Sequence, residues 1–537
     1  MQITLKLLFL LGIFITTGSF AQSLQEDFPP KNWFNEDPKT DKVNGVSTDE
    51  AYEMLKGKEA TTIIVAVIDS GIDIDHEDLH EVIWTNPGEI PGNGIDDDDN
   101  GYVDDIHGWN FLGGRDGLNV GPDNYEVTRE YRRLKPIYAP KKPSKKADYQ
   151  YWLEIEKGYQ EGLQKAISQR DFYDSLRRTI ESANRLMTAY LGVDELSLEL
   201  LQTVDSPDEK IMLATNLMGN ILMMIGDAEL DGIIGELEEA ANHYDIQVQF
   251  GYNLDFDART IVGDDPGNLE EKGYGNNDVK GIDTDNFHGT HVAGIIAAKR
   301  GNGIGIDGIA GNVRIMALRA VPDGDEHDKD VANAIFYAVD NGARIINMSF
   351  GKAYSPHKDY VDKAVKYAQA HGVLLVHAAG NSGKNTDVEN NFPTKKLGKK
   401  KVAQNWLEVG ASAWGEGEKL AADFSNYGKN TVDLFAPGVE IYSTAPENEY
   451  ESAQGTSMAS PVTAGVAALV LSYYPHLSAT DLKDILMQST RKFDGLMVVK
   501  PGTKDEKVDF ADLSVSGGIV NAYEAVKLAA SRSIKSK

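Results

Sequence analysis

Apolar and polar positions follow two regimes along this chain. Thr61–Ile68 (TTIIVAVI) is a short apolar, β-branched run without polar alternation, closed by Asp69-Ser70-Gly71. Such a run predicts a strand buried on both faces, as in a parallel sheet. Val313–Ala317, Ile345–Met348 and Val373–His377 repeat the pattern. Between these runs, Asp330–Asn341 and Tyr360–His371 read as helices. Alternating strands and helices predict an α/β domain with a mostly parallel sheet, whose functional groups belong at the carboxyl ends of its strands.

Residues 116–280 follow the second regime. Strand signals are sparse, and Phe172, Leu176, Ile180, Ala183, Met187 and Tyr190 recur at three- and four-residue steps, one face of a helix. Further helices are expected over 147–168, 208–225 and 228–243, with Gly226-Asp227 separating the last two. The block reads as a mainly helical insertion in the α/β domain. Its methionines, Met187, Met212, Met218, Met223 and Met224, suit either a packed helical core or an adaptable contact surface.

The N-terminal end adds an address. Residues 1–21 carry one charge, Lys6, then an apolar run from Leu7 to Ile15 and the small-residue exit Ser19-Phe20-Ala21. This is the layout of a secretory signal peptide and predicts export to the periplasm or the extracellular space. No later stretch reaches 18 apolar residues, so no membrane association is expected after signal cleavage. Residues 22–60 are polar and read as an N-terminal arm with a short helix near 48–56.

Composition narrows the chemistry. The 537 residues include 53 basic and 83 acidic side chains, a formal net charge of −30. That balance argues against nucleic-acid binding, which needs a basic face, and suits binding of hard cations. With no cysteine, the chain has no disulfide, thiolate metal site or cysteine nucleophile.

Three polar residues stand where nucleophilic catalysis would want them. Asp69 ends the first predicted strand in VIDSGID, His288 opens HGTHVAGIIAA, and Ser457 lies in GTSMASPVTAGVAALVL. A serine hydroxyl needs a base, histidine is the natural one, and a carboxylate fixes its tautomer. Ser457 at a helix N-terminus would also set backbone N–H groups near a developing oxyanion. Pro461 is expected in the first turn of that helix, where a missing N–H is harmless. Singly, each residue has a plainer reading as turn former, structural histidine or N-cap.

Together the three strings, in the order Asp, His, Ser, resemble the subtilisin-like serine proteases, the subtilases. The resemblance implies a subtilisin-like, doubly wound α/β fold with helices on both faces. It implies Asp69 as orienting acid, His288 as general acid/base and Ser457 as nucleophile. Asn381 in HAAGNSG would donate to the oxyanion. Ser349, Phe350 and Gly351 in NMSFG, together with Gly380, would bind an extended peptide or protein substrate. SGGIVNAYEAV (516–526) is similar to the family's usual close. The peptidase domain is therefore expected to comprise 61–115 and 281–530, flanking the 116–280 insertion. Phe287 stands where the family usually has glycine, and the usual folding prosegment is missing. A peptide-binding scaffold or an acyl hydrolase or transferase on the same fold are the alternative readings.

One acidic loop stays outside this constellation. In 93–107 (NGIDDDDNGYVDDIH), a D-x-D-x-N-G string names Asp96, Asp98, Asn100, Tyr102, Asp104 and Asp105 as candidate ligands of a structural calcium ion. His107 at the twelfth position replaces the usual Glu, so the loop is not a regular EF-hand. His76, His80 and His107 lack zinc spacing and read as surface residues; His291 reads as packed rather than catalytic.

Overall fold

The computed structural model describes residues 28–139, 146–226, 230–282, 285–398 and 401–535. The signal-peptide reading falls outside them. Two compact units emerge: a helical unit over 127–256 and a larger unit over 27–126 and 257–537. The compact helical unit is therefore narrower than the 116–280 block, since 116–126 and 257–280 belong with the larger unit.

The larger unit is built on a nine-stranded sheet. Five strands matter to the site: β1 (Ile63–Asp69), β2 (Gly108–Asn110), β3 (Val313–Arg319), β4 (Ile345–Met348) and β5 (Leu374–Ala378). From one edge the order runs β2, β3, β1, β4, β5, then Trp406–Ser412, Leu434–Pro437, Gly518–Ile519 and Arg491–Lys492. All neighbours are parallel except the last pair. The β-branched runs give this sheet because every position of β4 and β5, and all but one of β1, is buried. Alternate residues enter different layers. Ile63, Val65, Val67, Ile345, Leu374 and Val376 join the main core with Val292 and Val462. Helices Asp328–Asp340 and Lys358–Ala370 pack on β1 and β5, respectively. β3 and β4 lie on opposite sides of β1, so strand order reverses there, and the carboxyl ends of these strands open a crevice.

Two helices in the main core carry the HGTHVAG and GTSMASP strings. The histidine helix, Phe287–Ala297, and the serine helix, Thr456–Tyr473, pack against each other. On its other contacts the serine helix is equally tight: a Cβ at Gly465 would lie 2.8 Å from Ile309 Cβ. The serine helix is long and apolar enough to cross a membrane, yet almost all of it is buried within the unit. The arm is also part of the core. Trp33 and Phe34 are fully buried. The Ala522 amide donates to the Val46 carbonyl at 2.7 Å, and helix Thr48–Leu55 packs on Ala522–Lys535.

The helical unit holds the helix Lys146–Leu191 with Glu209–Ile225 and Leu230–Ile246 packed on it. The segments expected at 147–168 and 172–190 form one helix of 46 residues, because no Gly or Pro turn divides them strongly enough to end it. Ile180, Met187, Met218, Ile221 and Leu237 form its core, while Met223 and Tyr190 are exposed. The separator expected at Gly226-Asp227 is half described: Gly226 caps Glu209–Ile225 with a positive φ of 61°, which glycine tolerates.

Candidate active site

Asp69 is the last residue of β1 and is buried. Its Oδ1 accepts the Ser70 amide at 2.8 Å and contacts His288 Nδ1 at 2.7 Å. Asp69 is thus the acceptor that keeps the Nδ1 proton in place and leaves the Nε2 lone pair free. Burial lowers the affinity of His288 for a proton, but the Asp69 charge and hydrogen bond more than offset it. The imidazole pKa ends above its usual value. Gly289 lets the histidine helix start close against this turn, since a Cβ there would overlap the Gly71 carbonyl and approach Asp69 Cβ to 3.1 Å. One helical turn on, His291 is fully buried, contacts the Glu451 carbonyl at 3.1 Å, and is pushed down to about 4 by burial. It is packed and neutral, as expected for a residue outside the chemistry.

Ser457 is the second residue of its helix, where the backbone N–H has no intrahelical acceptor. Its Oγ donates to the Ser349 carbonyl at 3.0 Å, and Ser349 Oγ donates back to the Ser457 carbonyl at 2.8 Å. Pro461 explains the second bond. It lies in the second turn of the helix rather than the first, and its missing N–H leaves the Ser457 carbonyl without its usual i+4 donor. Ser460 Oγ extends the tie to Asn347 Oδ1 at 2.8 Å.

Asn381 follows β5. Its Oδ1 accepts both the Thr456 amide and the Thr456 hydroxyl, each at 2.8 Å. A backbone N–H only donates, so this contact fixes the amide orientation and leaves Nδ2 as the outward donor. A Cβ at Gly455 would sit 3.2 Å from that Nδ2 and 3.5 Å from the Ser457 nitrogen. Those two nitrogens therefore flank a small space that a glycine keeps open.

The four expected substrate contacts divide. Among the described residues no hydrogen bond uses the N–H or carbonyl of Phe350 or Gly351, so this edge is available to an extended chain. Ser349 is buried and tied to Ser457. Gly380 has positive φ (100°), and both its backbone groups are engaged: its N–H by Thr456 Oγ1 at 3.0 Å, its carbonyl by the Asn426 amide at 2.8 Å.

The acidic loop is partly drawn together. Ligand oxygens of Glu89, Asp96 and Asp98 lie within 4.8 Å of one another. Asn100 adjoins them, its Nδ2 on Asp98 at 3.2 Å. Asp104 is turned to the Asn93 and Gly94 amides at 3.1 and 2.8 Å. Asp105 accepts from Asn86, Asn100 and Tyr337, and burial pushes its carboxyl up to about 6. The Tyr102 ring packs among Trp109, Phe111 and Tyr337. Glu89 escaped the sequence reading because it precedes the acidic string. His76, expected at the surface, is fully buried between the Asp78 amide (3.0 Å) and the Glu449 carbonyl (3.1 Å).

The sequence matches the profile of the Subtilase family over residues 60–512. The chain belongs to the subtilase family. A thermophilic serine proteinase of Bacillus sp. strain AK1 is 45% identical over 204 residues, which is 37% of this chain and 47% of the relative. Subtilisin DY of Bacillus licheniformis is 40% identical over 37% of this chain and 69% of its own length. Thermitase of Thermoactinomyces vulgaris is 36% identical over 45% of this chain and 75% of its own. The chain thus spans about half of the AK1 relative and more of the other two.

Proposed function

We propose that this subtilase is an exported serine endopeptidase acting through an acyl-enzyme. The observation that carries the reading is the convergence at the carboxyl ends of β1, β4 and β5. Asp69, paired with His288, ends β1; Ser349, which holds the half-buried Ser457 hydroxyl, follows β4; Asn381 follows β5. When a peptide carbonyl arrives, Ser457 Oγ leaves the Ser349 carbonyl and turns to His288 Nε2. Catalytic hydrogen bonds of this kind tighten on substrate binding. His288 takes the hydroxyl proton as Oγ attacks the carbonyl carbon, while Asp69 stabilises the imidazolium. The tetrahedral oxyanion receives hydrogen bonds from the Ser457 N–H and Asn381 Nδ2, preorganised donors that need no rearrangement. His288 passes the proton to the departing amine, and water repeats the sequence in reverse to release the acid. The free edge at Phe350–Gly351 would pair with the substrate backbone. Export rests on the N-terminal residue pattern.

The test is labelling of the mature chain and its Ser457→Ala variant with a fluorophosphonate probe, with casein digestion in parallel. Both signals are expected in the first protein and neither in the second. Labelling that survives Ser457→Ala would overturn the assignment of the nucleophile.

Glu89, Asp96 and Asp98 bring carboxylate oxygens close enough to share one ion, a hard-donor set that suits calcium. These residues would hold the ion as a structural staple, and the ion would neutralise carboxylates that otherwise repel. Excess EDTA is expected to lower the melting temperature by several degrees. An unchanged melting curve with metal content near zero would overturn the site.

A further inference from the structure

Lys352 lies one residue beyond the proposed substrate edge, and its side chain is only 1% exposed. A buried ammonium has three donors to satisfy, and here three acceptors come from separate positions. Nζ reaches Glu126 Oε2 at 2.8 Å, Asp328 Oδ1 at 3.0 Å and the Glu326 carbonyl at 2.6 Å. Both carboxylates are buried too, with side chains 6% and 4% exposed. The backbone of Lys352 is equally fixed: its N–H donates to the Phe392 carbonyl at 3.0 Å and its carbonyl accepts the Phe392 amide at 2.8 Å. Asp328 is itself held by the Ser355 hydroxyl (2.9 Å) and the His357 amide (2.7 Å).

The position of this clamp gives it meaning. Three residues upstream, the Ser349 carbonyl accepts the Ser457 hydroxyl. The Ser349–Gly351 segment, which continues β4, is thus pinned at one end to the nucleophile and at the other to a buried charge cluster, and the stretch between them is the unpaired edge. A hydrophobic residue of similar size would fill the volume, often without loss of stability. It would not fix the height of this segment, because dispersion is not directional, whereas polar contacts to Glu126 and to the 326–328 stretch are. Glu126 is the last residue before the helical unit, so the same ammonium also anchors the chain where that unit begins.

We propose that Lys352 is a positioning residue of the peptidase, one that sets the substrate-pairing edge for extended peptides without touching the reacting atoms. The inference rests on the endopeptidase reading above. It predicts a defect that grows with the length of substrate on the acyl side. The full chain, Lys352→Arg, Lys352→Met and Glu126→Gln are compared on two substrates: a tetrapeptide anilide and a single-residue ester. Fluorophosphonate labelling rates are measured alongside. Lys352→Arg keeps the charge but offers a planar fork in place of three divergent donors. It is expected to lower kcat/KM for the tetrapeptide about tenfold, mainly through KM, with ester turnover and labelling within about twofold of the parent. Glu126→Gln should shift the same ratio in the same direction by less. Lys352→Met takes the ammonium from two buried carboxylates and can fail to fold, so the other two variants decide. A tetrapeptide-to-ester ratio unchanged in both, whatever happens to the melting temperature, would reduce Lys352 to a structural ion pair. A parent chain that takes no label would overturn the peptidase reading itself, and this role with it.

Discussion

The serine helix and the helix Lys146–Leu191 are both long, and they are buried in different ways. Nearly every residue of Thr456–Ser472 is buried, with Gly, Ala, Ser and Thr bringing neighbouring backbones close. Lys146–Leu191 instead buries a stripe, with Ile180 and Met187 inside and Leu186 and Tyr190 39% and 48% exposed. The first helix is specified by contacts from all directions, the second by periodicity. Identity at each position therefore matters in the larger unit, whereas apolar character at the right step suffices in the helical unit.

The largest expected effect would sharpen that contrast. Asp69→Asn should lower kcat by about 10⁴-fold while leaving both units folded. His288 must be neutral to act as base, so activity rises with pH through its pKa, which lies above the usual imidazole value. Removing the Asp69 charge removes what raised that pKa, so the acid limb of the kcat/KM profile should move to lower pH. A limb that stays put would deny the electrostatic coupling. Next in size is a pair of opposite changes. Leu237→Ala, at a fully buried position of the helical core, should destabilise that unit by about 2–5 kcal/mol and leave fluorophosphonate labelling intact. Gly294→Ala adds one methyl where the Thr444 and Ser443 hydroxyls press on the histidine helix, and should cost about 1–3 kcal/mol and reduce labelling. Should the glycine tolerate the methyl without change, the contrast fails. Smallest of all, Leu213→Lys on the 63% exposed face of the helical unit should change stability by less than about 0.5 kcal/mol in thermal melts.

The same contrast explains what could be read before the structure was known. Buried parallel strands announce themselves as unbroken apolar runs, and β4 falls on Ile345–Met348 as expected, with the others displaced by a residue or two. The catalytic strings were legible because glycine turns and small-residue helices leave few sequence alternatives. Groups that become partners only through tertiary contact were not. Lys352 carries no local signal, since nothing near it in sequence reveals that Glu126 and Asp328 converge on it. The acidic loop shows the same limit. Its sequence names six candidate ligands, and only the structure shows that Asp104 accepts the Asn93 and Gly94 amides and Asp105 the Tyr337 hydroxyl. Pro461 was misplaced by one turn, and the structural role of its missing N–H depends on Ser349, over a hundred residues away in sequence.

The arm packed beneath the last helix bears on the order of events during synthesis. Asn521 reaches Ser47 across 474 residues of chain, and the Val46 carbonyl waits for the Ala522 amide. Trp33 and Phe34 share one core with Ala522, Ala525 and Val526, so their side of it closes only when that helix is in place. Contacts this distant in sequence form slowly, because the loop must be closed before any reward is gained. A chain cut before residue 520 therefore presents an incomplete core around the buried Trp33 and Phe34.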